Sequence, residues 1–129
     1  MLTFKGLNFS PALSGKTKRA LRGAQDALDE KCIALMEDYT PVSRQGGYTK
    51  ESPHKWVRFE NRGKMSKSHR QEKPGVIINT EPKARREYYT NKGGSGGRRG
   101  KYWFDRMVAD HGSELERAAN DGMKKGGGA

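Results

Sequence analysis

One stretch of the sequence limits the fold more than any other, because apolar side chains recur in it at intervals of three and four residues from Lys16 to Tyr39. These apolar residues are Leu21, Ala24, Leu28, Cys32, Ile33, Leu35, Met36 and Tyr39. Their spacing places them on one face of an α-helix. The charged residues Lys18, Arg22, Asp26, Asp29 and Lys31 are predicted to lie on the solvated face. Pro41 ends this helix, because helical geometry is disfavoured for the residue before a proline.

The composition of the whole chain is low in apolar residues and high in positive charge. Of the 129 residues 32% are hydrophobic, the mean hydropathy is −1.04 and the net charge is +11. Such a composition is typical of a disordered chain or of one that is stabilised by its partners. The positive charge favours an anionic neighbour, either nucleic acid or an acidic protein surface. We expect a single domain with one modest core over residues 1–120, and a flexible Gly/Lys tail over residues 121–129.

Local patterns predict a few short strands and a second helix. The strand candidates are Gly75–Asn79, Arg86–Thr90, His54–Phe59 and the segment Met1–Phe9, for which a docking arm is the alternative. A second helix is predicted from Lys101 to Asn120, with Gly112 as a weak point and Asp121-Gly122 as its end. We therefore expect an α+β fold, in which a long N-terminal helix and a C-terminal helix pack on a small antiparallel sheet and long irregular basic loops connect them.

Eight residues are predicted to anchor the core of this fold. They are Leu21, Leu28, Leu35, Ile77, Tyr88, Trp103, Phe104 and Met107. All are large and apolar or aromatic, and they fall on the predicted helical faces and strands.

Positive charge is concentrated in the middle of the chain. Between Lys55 and Lys101 there are 14 Lys or Arg and four Glu, which gives +10 of the net +11. The irregular segment over about 41–74 is predicted to project as a loop, and the Gly-rich segment Asn91–Gly100 to be a flexible loop. The candidates for contacts with protein partners or with DNA in a channel are Lys64, Lys67, Arg70, Lys83, Arg85, Arg86, Arg98 and Arg99.

The sequence contains no pattern that indicates catalysis. The Gly-rich loop before the second helix fails as a P-loop, because Ser95 stands where the first glycine is needed and Tyr102 follows Lys101. His111 falls on an apolar helix face, and His54 and His69 lie in the basic region without an acidic cluster. Cys32 falls on the core stripe, where a buried small side chain is expected. We predict no catalytic residue, metal or cofactor.

The cellular setting is predicted from the same composition. A single cysteine excludes an intramolecular disulfide and suits a reducing cytoplasm. No apolar run approaches the roughly 20 residues that a membrane span requires. The segment Met1–Ser10 lacks the apolar core of a signal peptide.

Aromatic residues are interleaved with the basic residues. They are Trp56, Phe59, Tyr88, Tyr89, Tyr102 and Trp103. Such rings can stack on unpaired bases while Lys and Arg neutralise phosphates. They can equally serve as core residues and anchors at subunit contacts. The residues alone leave both interpretations open.

The order of several short motifs resembles the minor capsid protein family of long-tailed bacteriophages, a group similar to neck and tail-completion subunits. In that family a long helix ends near a proline. It is followed by a Gly-x-Leu-x-x-Ser element, a strand, a Thr-Pro-Tyr-Ala-Arg-x-x-Tyr-Tyr stretch, a glycine, a Trp-Phe pair and a terminal helix. The counterparts here are Tyr39-Thr40-Pro41-Val42, Gly63-Lys64-Met65-Ser66-Lys67-Ser68, Gly75–Asn79, Ala84-Arg85 with Tyr88-Tyr89, Gly100 and Trp103-Phe104. The likeness extends over about nine-tenths of the chain. Lys83 departs from the family's usual Tyr, and the interval from Pro41 to Gly63 is longer, with Gly47-Tyr48 as a rival match for the glycine element.

The resemblance implies a structural role in the virion without catalysis. Such a subunit joins a ring around the DNA channel at the head–tail junction, after assembly in the host cytoplasm. Six copies are the first expectation, matching the symmetry of the tail, and twelve the second. Expected partners are further copies of the chain and neighbouring neck, portal-adaptor or tail proteins. Contact with channel DNA and a stand-alone nucleic-acid-binding role both remain open at this point.

Overall fold

The computed structural model describes residues 2–5, 18–42, 46–47, 50–51, 53–55, 57–58, 64–93 and 97–126. Its elements in chain order are β1 (Leu2–Lys5), α1 (Lys18–Met36), β2 (Gly46–Gly47), β3 (Val57–Arg58), β4 (His69–Lys73), β5 (Val76–Asn79), α2 (Ala84–Thr90) and α3 (Trp103–Gly126). The predicted α+β class with an antiparallel sheet is confirmed. The described residues do not include positions 6–9 of the segment Met1–Phe9, the predicted helix start at Lys16, or Trp56, Phe59 and Gly63.

The sheet is small and antiparallel, with the strand order β1-β5-β4. The β4–β5 hairpin closes at the pair Lys73 and Val76, with Pro74-Gly75 as its turn. Gly75 has φ +81°, which glycine adopts without the steric cost of a side chain. All four residues of the central strand β5 are buried. A separate pair is formed by β2 and β3, so the strand predicted within His54–Phe59 is present at Val57–Arg58.

The two long helices form most of the scaffold, and α1 packs along α3. They come close together at Gly122 of α3, where a Cβ atom would lie 2.4 Å from Cβ of Ala27 and 2.5 Å from the carbonyl oxygen of Gly23. The prediction that Asp121-Gly122 ends the helix and starts a flexible tail was wrong, because α3 continues to Gly126. Gly122 provides room for the neighbouring helix and does not cap its own.

The helical stripe predicted for α1 is present, but two of its leucines are less buried than predicted and the helix is shorter. Leu28, Cys32 and Met36 are buried, whereas Leu21 and Leu35 are half-buried. The helix ends at Met36, three residues before the predicted Tyr39. The amides of Tyr39 and Thr40 and the Thr40 hydroxyl all donate hydrogen bonds to the Met36 carbonyl oxygen.

The segment predicted as the strand Arg86–Thr90 is the helix α2. Ala84 and Tyr88 are buried while Arg85, Arg86 and Tyr89 are exposed, so the buried positions repeat every four residues and not every two. The turn that precedes α2 already has a helix-like hydrogen bond, which the Ala84 amide donates to the Glu81 carbonyl oxygen three residues earlier. The predicted loop over 41–74 was also too long, since its last residues form β4.

Candidate interface around α2 and the start of α3

Trp103 is the centre of an aromatic core beneath α2. Its side chain is fully buried, and its ring lies 4.7 Å from that of Tyr88 and 6.4 Å from that of Phe4, measured between centroids. Phe104 stacks on Phe4 at 4.7 Å, which connects the first turn of α3 to β1. Burial and the nearby charge of Asp105 raise the pKa of Tyr88. The predicted anchors Ile77, Tyr88, Trp103, Phe104 and Met107 are all buried here.

A buried histidine connects this core to the sheet. His69 Nε2 lies 3.2 Å from Trp103 Nε1 and 3.1 Å from Asn79 Nδ2, and both of these nitrogens are donors. The Asn79 amide is oriented by its bond to the Met65 carbonyl oxygen and by the Glu81 amide, which donates to Oδ1. His69 Nε2 is therefore the acceptor, and the proton is on Nδ1, 3.4 Å from the Ser66 carbonyl oxygen.

Burial lowers the pKa of His69 to about 4, partly offset by its bond to Ser66. The sequence placed His69 in an irregular basic region, and that placement was wrong, because His69 is a neutral core residue of β4. His54, by contrast, is exposed.

Two tyrosines next to the buried aromatic core point to the surface. Tyr89 is 56% exposed and Tyr102 is 40% exposed, and they are the large hydrophobic side chains with high exposure in the described part of the chain. Their ring centroids are 6.2 Å apart with an interplanar angle of 77°. The rings therefore meet edge to face and do not form one flat platform.

The backbone at Tyr102 is strained. Its φ of +55° is in the left-handed region, which costs a residue with a bulky side chain about 1 to 2 kcal/mol. Two backbone bonds impose it, from the Tyr102 amide to the Tyr88 carbonyl oxygen and from the Lys101 amide to the Asn91 carbonyl oxygen. These bonds join the end of α2 to the start of α3, and they fix the Tyr102 ring on the outside.

Cations surround this tyrosine pair. Arg85 and Arg86 precede Tyr89 by four and three residues, so they share its exposed side of α2. The Lys101 ammonium lies 5.4 Å from the centroid of the Tyr102 ring. We call Arg85, Arg86, Tyr89, Lys101 and Tyr102 the tyrosine surface. In the described part of the chain its cations form one ion pair, that of Arg86 with Glu87 at 3.4 Å.

The other predicted contact residues fall into three groups. Lys64 and Lys67 are exposed on the turn before β4, and Lys83 is exposed on the turn before α2. The two turns are connected by the ion pair of Lys64 with Glu81 at 3.8 Å. Arg70 is exposed on β4.

Arg98 and Arg99 form the third group, which contacts the end of α1. Arg99 donates to the carbonyl oxygens of Glu37 and Thr40, both at 2.6 Å. Arg98 lies over the ring of Tyr39 at 5.7 Å. Residues 97–100 of the predicted flexible loop are thus anchored, and Gly100 adds a backbone bond to Tyr39.

Asp29 is buried, so the prediction that it lies on the solvated face of α1 was wrong. Its side chain is 1% exposed, and it accepts bonds from Gln25 Nε2, Gln71 Nε2 and the Gly75 amide, at 2.7 to 2.8 Å. Three donors satisfy a buried carboxylate. Asp29 therefore holds the β4–β5 hairpin against α1. A helical pattern does not reveal this, because Gln71 and Gly75 are more than 40 positions away.

Tyr39, three residues after the end of α1, makes polar contacts with Asp110 and His111 of α3. The Tyr39 hydroxyl donates to Asp110 Oδ2 at 2.6 Å and lies 3.1 Å from His111 Nε2. Burial and the bond to Asp110 raise the pKa of Tyr39. The His111 contact at 2.8 Å lowers the pKa of Glu114. His111 has non-helical dihedral angles and marks a kink in α3, next to the weak point predicted at Gly112.

The described residues offer no evident site for other chemistry. Burial, with the Asp29 charge as a second cause, raises the pKa of Cys32 to about 12, so this thiol is a core side chain. In the described ranges no group of three or more His, Cys, Asp or Glu is placed to hold a metal ion. None of the helices described there combines the length and apolar character of a bilayer span.

Comparison with known proteins adds no relative to these observations. No protein-family model matches the chain, and neither the curated proteins nor the solved structures include a significant match.

Proposed function

We propose that this chain is a structural, non-enzymatic subunit of the head–tail junction of a long-tailed bacteriophage, of the neck or tail-completion type. It forms part of a ring that joins the capsid connector to the tail, with six copies as the first expectation and twelve as the second. Its partners are copies of itself and the adjoining neck, portal-adaptor or tail proteins, with DNA in the channel as a further contact. Its location is the virion, after assembly in the host cytoplasm.

One observation carries this proposal: the separate motifs that resemble the minor capsid protein family meet in a single core. The members in the core are Tyr39, Ile77, Ala84, Tyr88, Trp103 and Phe104, and the partly buried Met65 packs against them. They come from the end of α1, the turn before β4, β5, α2 and α3. Packing of the matched segments around one core supports the resemblance, because residues of a shared family motif are expected to have a common structural role. The exposed members Arg85 and Tyr89 lie on the tyrosine surface, and exposed Tyr and Arg side chains are common anchors of subunit contacts.

Native mass spectrometry at two salt concentrations, with and without a short DNA duplex, tests this proposal. We expect a defined oligomer that is formed without DNA and does not take up the duplex tightly at physiological salt. Tight stoichiometric complexes with DNA in place of a protein oligomer would overturn it.

A stand-alone nucleic-acid-binding protein is the second candidate. It is supported by the exposed tyrosine rings beside Arg85 and Lys101, and by the charge of +10 between residues 55 and 101. Such a protein would bind a single-stranded oligonucleotide with an affinity that falls steeply as salt rises. An affinity that is weak, or that salt does not change, would remove this candidate.

A further inference from the structure

The outer side of α3 differs in charge from the rest of the molecule. Over positions 109–121 its exposed residues include four acidic side chains and one basic one, Arg117. The acidic residues are Asp110, Glu114, Glu116 and Asp121. Among them lie the small exposed residues Ala109, Gly112 and Ser113, and a Cβ at Gly112 would meet nothing within 4 Å. We call this set the acidic face of α3.

The acidic face of α3 and the tyrosine surface are complementary. On the acidic face of α3, Glu114 already pairs with Lys31 at 3.8 Å and Asp110 accepts from Tyr39, so Glu116 and Asp121 provide its remaining negative charge beside small side chains. The tyrosine surface presents two tyrosine rings with three cations. Opposite charges steer two surfaces together and fix their register. The small side chains leave room for the projecting rings of Tyr89 and Tyr102.

We propose that the tyrosine surface of one copy of this chain binds the acidic face of α3 on a second copy. This inference rests on the proposed ring and names the two surfaces that form its subunit contact. Because the two surfaces differ, the contact is heterologous, and repeating it produces a closed ring when the rotation between copies closes.

Two features of the tyrosine surface favour a second copy over single-stranded nucleic acid. The rings of Tyr89 and Tyr102 are inclined at 77°, so two successive bases cannot stack on them as on a flat platform. The strained backbone of Tyr102 sets the direction in which its side chain leaves the main chain, and edge-to-face contacts with Tyr88 and Tyr89 position the ring. Such strain persists where the surrounding structure imposes it and is concentrated at functional sites. A tyrosine ring that is already in position before binding favours contact with a protein surface of fixed shape.

Paired charge reversals test the contact. Variant A carries Arg85→Glu and Arg86→Glu, and variant B carries Glu116→Lys and Asp121→Lys. All four positions are exposed, so circular dichroism should show that both variants remain folded. We expect each variant alone to lose the oligomer, because like charges then face each other. A mixture of equal amounts should restore it with alternating A and B, hence with an even copy number.

A matched control changes charge elsewhere. Lys18→Glu with Arg19→Glu alters the net charge by the same four units as variant A, from +11 to +7, at exposed positions outside both surfaces. We expect this variant to assemble like the wild-type protein.

Native mass spectrometry and analytical ultracentrifugation distinguish the outcomes. If A and B each assemble like the wild type, or if their mixture stays monomeric, the named surfaces are wrong while the ring itself can stand. A wild-type protein that stays monomeric at its highest soluble concentration overturns the pairing of two copies. If variant A instead loses affinity for a single-stranded oligonucleotide and self-association is unchanged, the tyrosine surface binds nucleic acid and the proposal is wrong.

Discussion

Neighbouring residues of α2 and α3 have opposite environments. Tyr88 is 5% exposed and Tyr89 is 56% exposed, while Trp103 is fully buried and Tyr102 is 40% exposed. In α2 the difference follows from helical geometry, which turns successive side chains by about 100°. At the start of α3 it follows from the left-handed backbone of Tyr102, which separates the Tyr102 ring from the core. Aromatic side chains that are adjacent in sequence therefore lie in the core in one case and on the surface in the other.

The two sides should respond differently to mutation. Residues on the buried side determine the free energy of unfolding, because their removal leaves a cavity or an unpaired polar group. Residues on the exposed side should alter association and leave the fold intact, since surface substitutions usually change stability by about 0.5 kcal/mol or less.

The largest effect is expected on the buried side at Trp103. Trp103→Ala removes the ring that packs against Tyr88 and Phe4, together with the donor to His69. We expect a loss of about 3–5 kcal/mol in the free energy of unfolding, measured by urea denaturation. That is a large share of the roughly 5–15 kcal/mol by which domains are stable. A Trp103→Ala protein as stable as the wild type would remove Trp103 from the core.

The next effect concerns pH and His69. The pKa of His69 is about 4 in the folded protein, below its ordinary value of 6.5, so the unfolded chain binds more protons between these values. Its contribution to stability is present above pH 6.5 and is lost as pH falls. The loss should reach about 2 kcal/mol at pH 5 and about 3 kcal/mol at pH 4. Protonated Nε2 would also face two donors, Trp103 Nε1 and Asn79 Nδ2.

Urea denaturation between pH 7 and pH 5 measures this loss. The exposed His54 is the matched control, and His54→Asn should leave the pH dependence unchanged. His69→Gln should be less stable at pH 7 and should lack most of the fall. If the free energy of unfolding of His69→Gln fell with pH as much as that of the wild type, the pH dependence would come from other groups.

Substitutions of two glycines in α3 should have smaller effects on stability, and these effects should have opposite signs. Gly122→Ala puts a methyl group 2.4 Å from Ala27 Cβ, and this overpacking should lower stability by about 1–3 kcal/mol. Gly112→Ala meets nothing within 4 Å and should raise stability by up to about 1 kcal/mol, because alanine favours a helix. Thermal denaturation of both variants tests this difference. Equal melting temperatures would mean that α3 does not approach α1 at Gly122.

The sequence predicted those parts of the fold that depend on local periodicity. The stripe of α1, the strand at Gly75–Asn79 and the Trp103-Phe104 anchor follow from apolar spacing within one segment. The α2 helix was missed because adjacent tyrosines and a terminal threonine favour a strand by composition. Only the burial of Ala84 and Tyr88 reveals its period.

Other features depend on contacts between distant segments. Asp29 looked solvated in the helical pattern, but it meets Gln71 and Gly75 only after the hairpin folds onto α1. The tyrosine surface could be foreseen only in part. The sequence placed Tyr88 and Trp103 among the predicted core anchors, but it did not indicate whether Tyr89 and Tyr102 belong to the core or to a surface.

The smallest change in stability, together with a large change in assembly, is expected for Tyr102→Gly. Glycine adopts the φ of +55° without a steric penalty, which returns about 1–2 kcal/mol of strain. This gain offsets the lost ring contacts with Tyr88 and Tyr89, worth about 0.5–1.5 kcal/mol each. The free energy of unfolding should therefore stay within about 1 kcal/mol of the wild type, while the oligomer seen by native mass spectrometry is lost. Tyr102→Phe keeps the ring and should retain both properties, and a Tyr102→Gly protein that still assembles would show that this ring is not part of the contact.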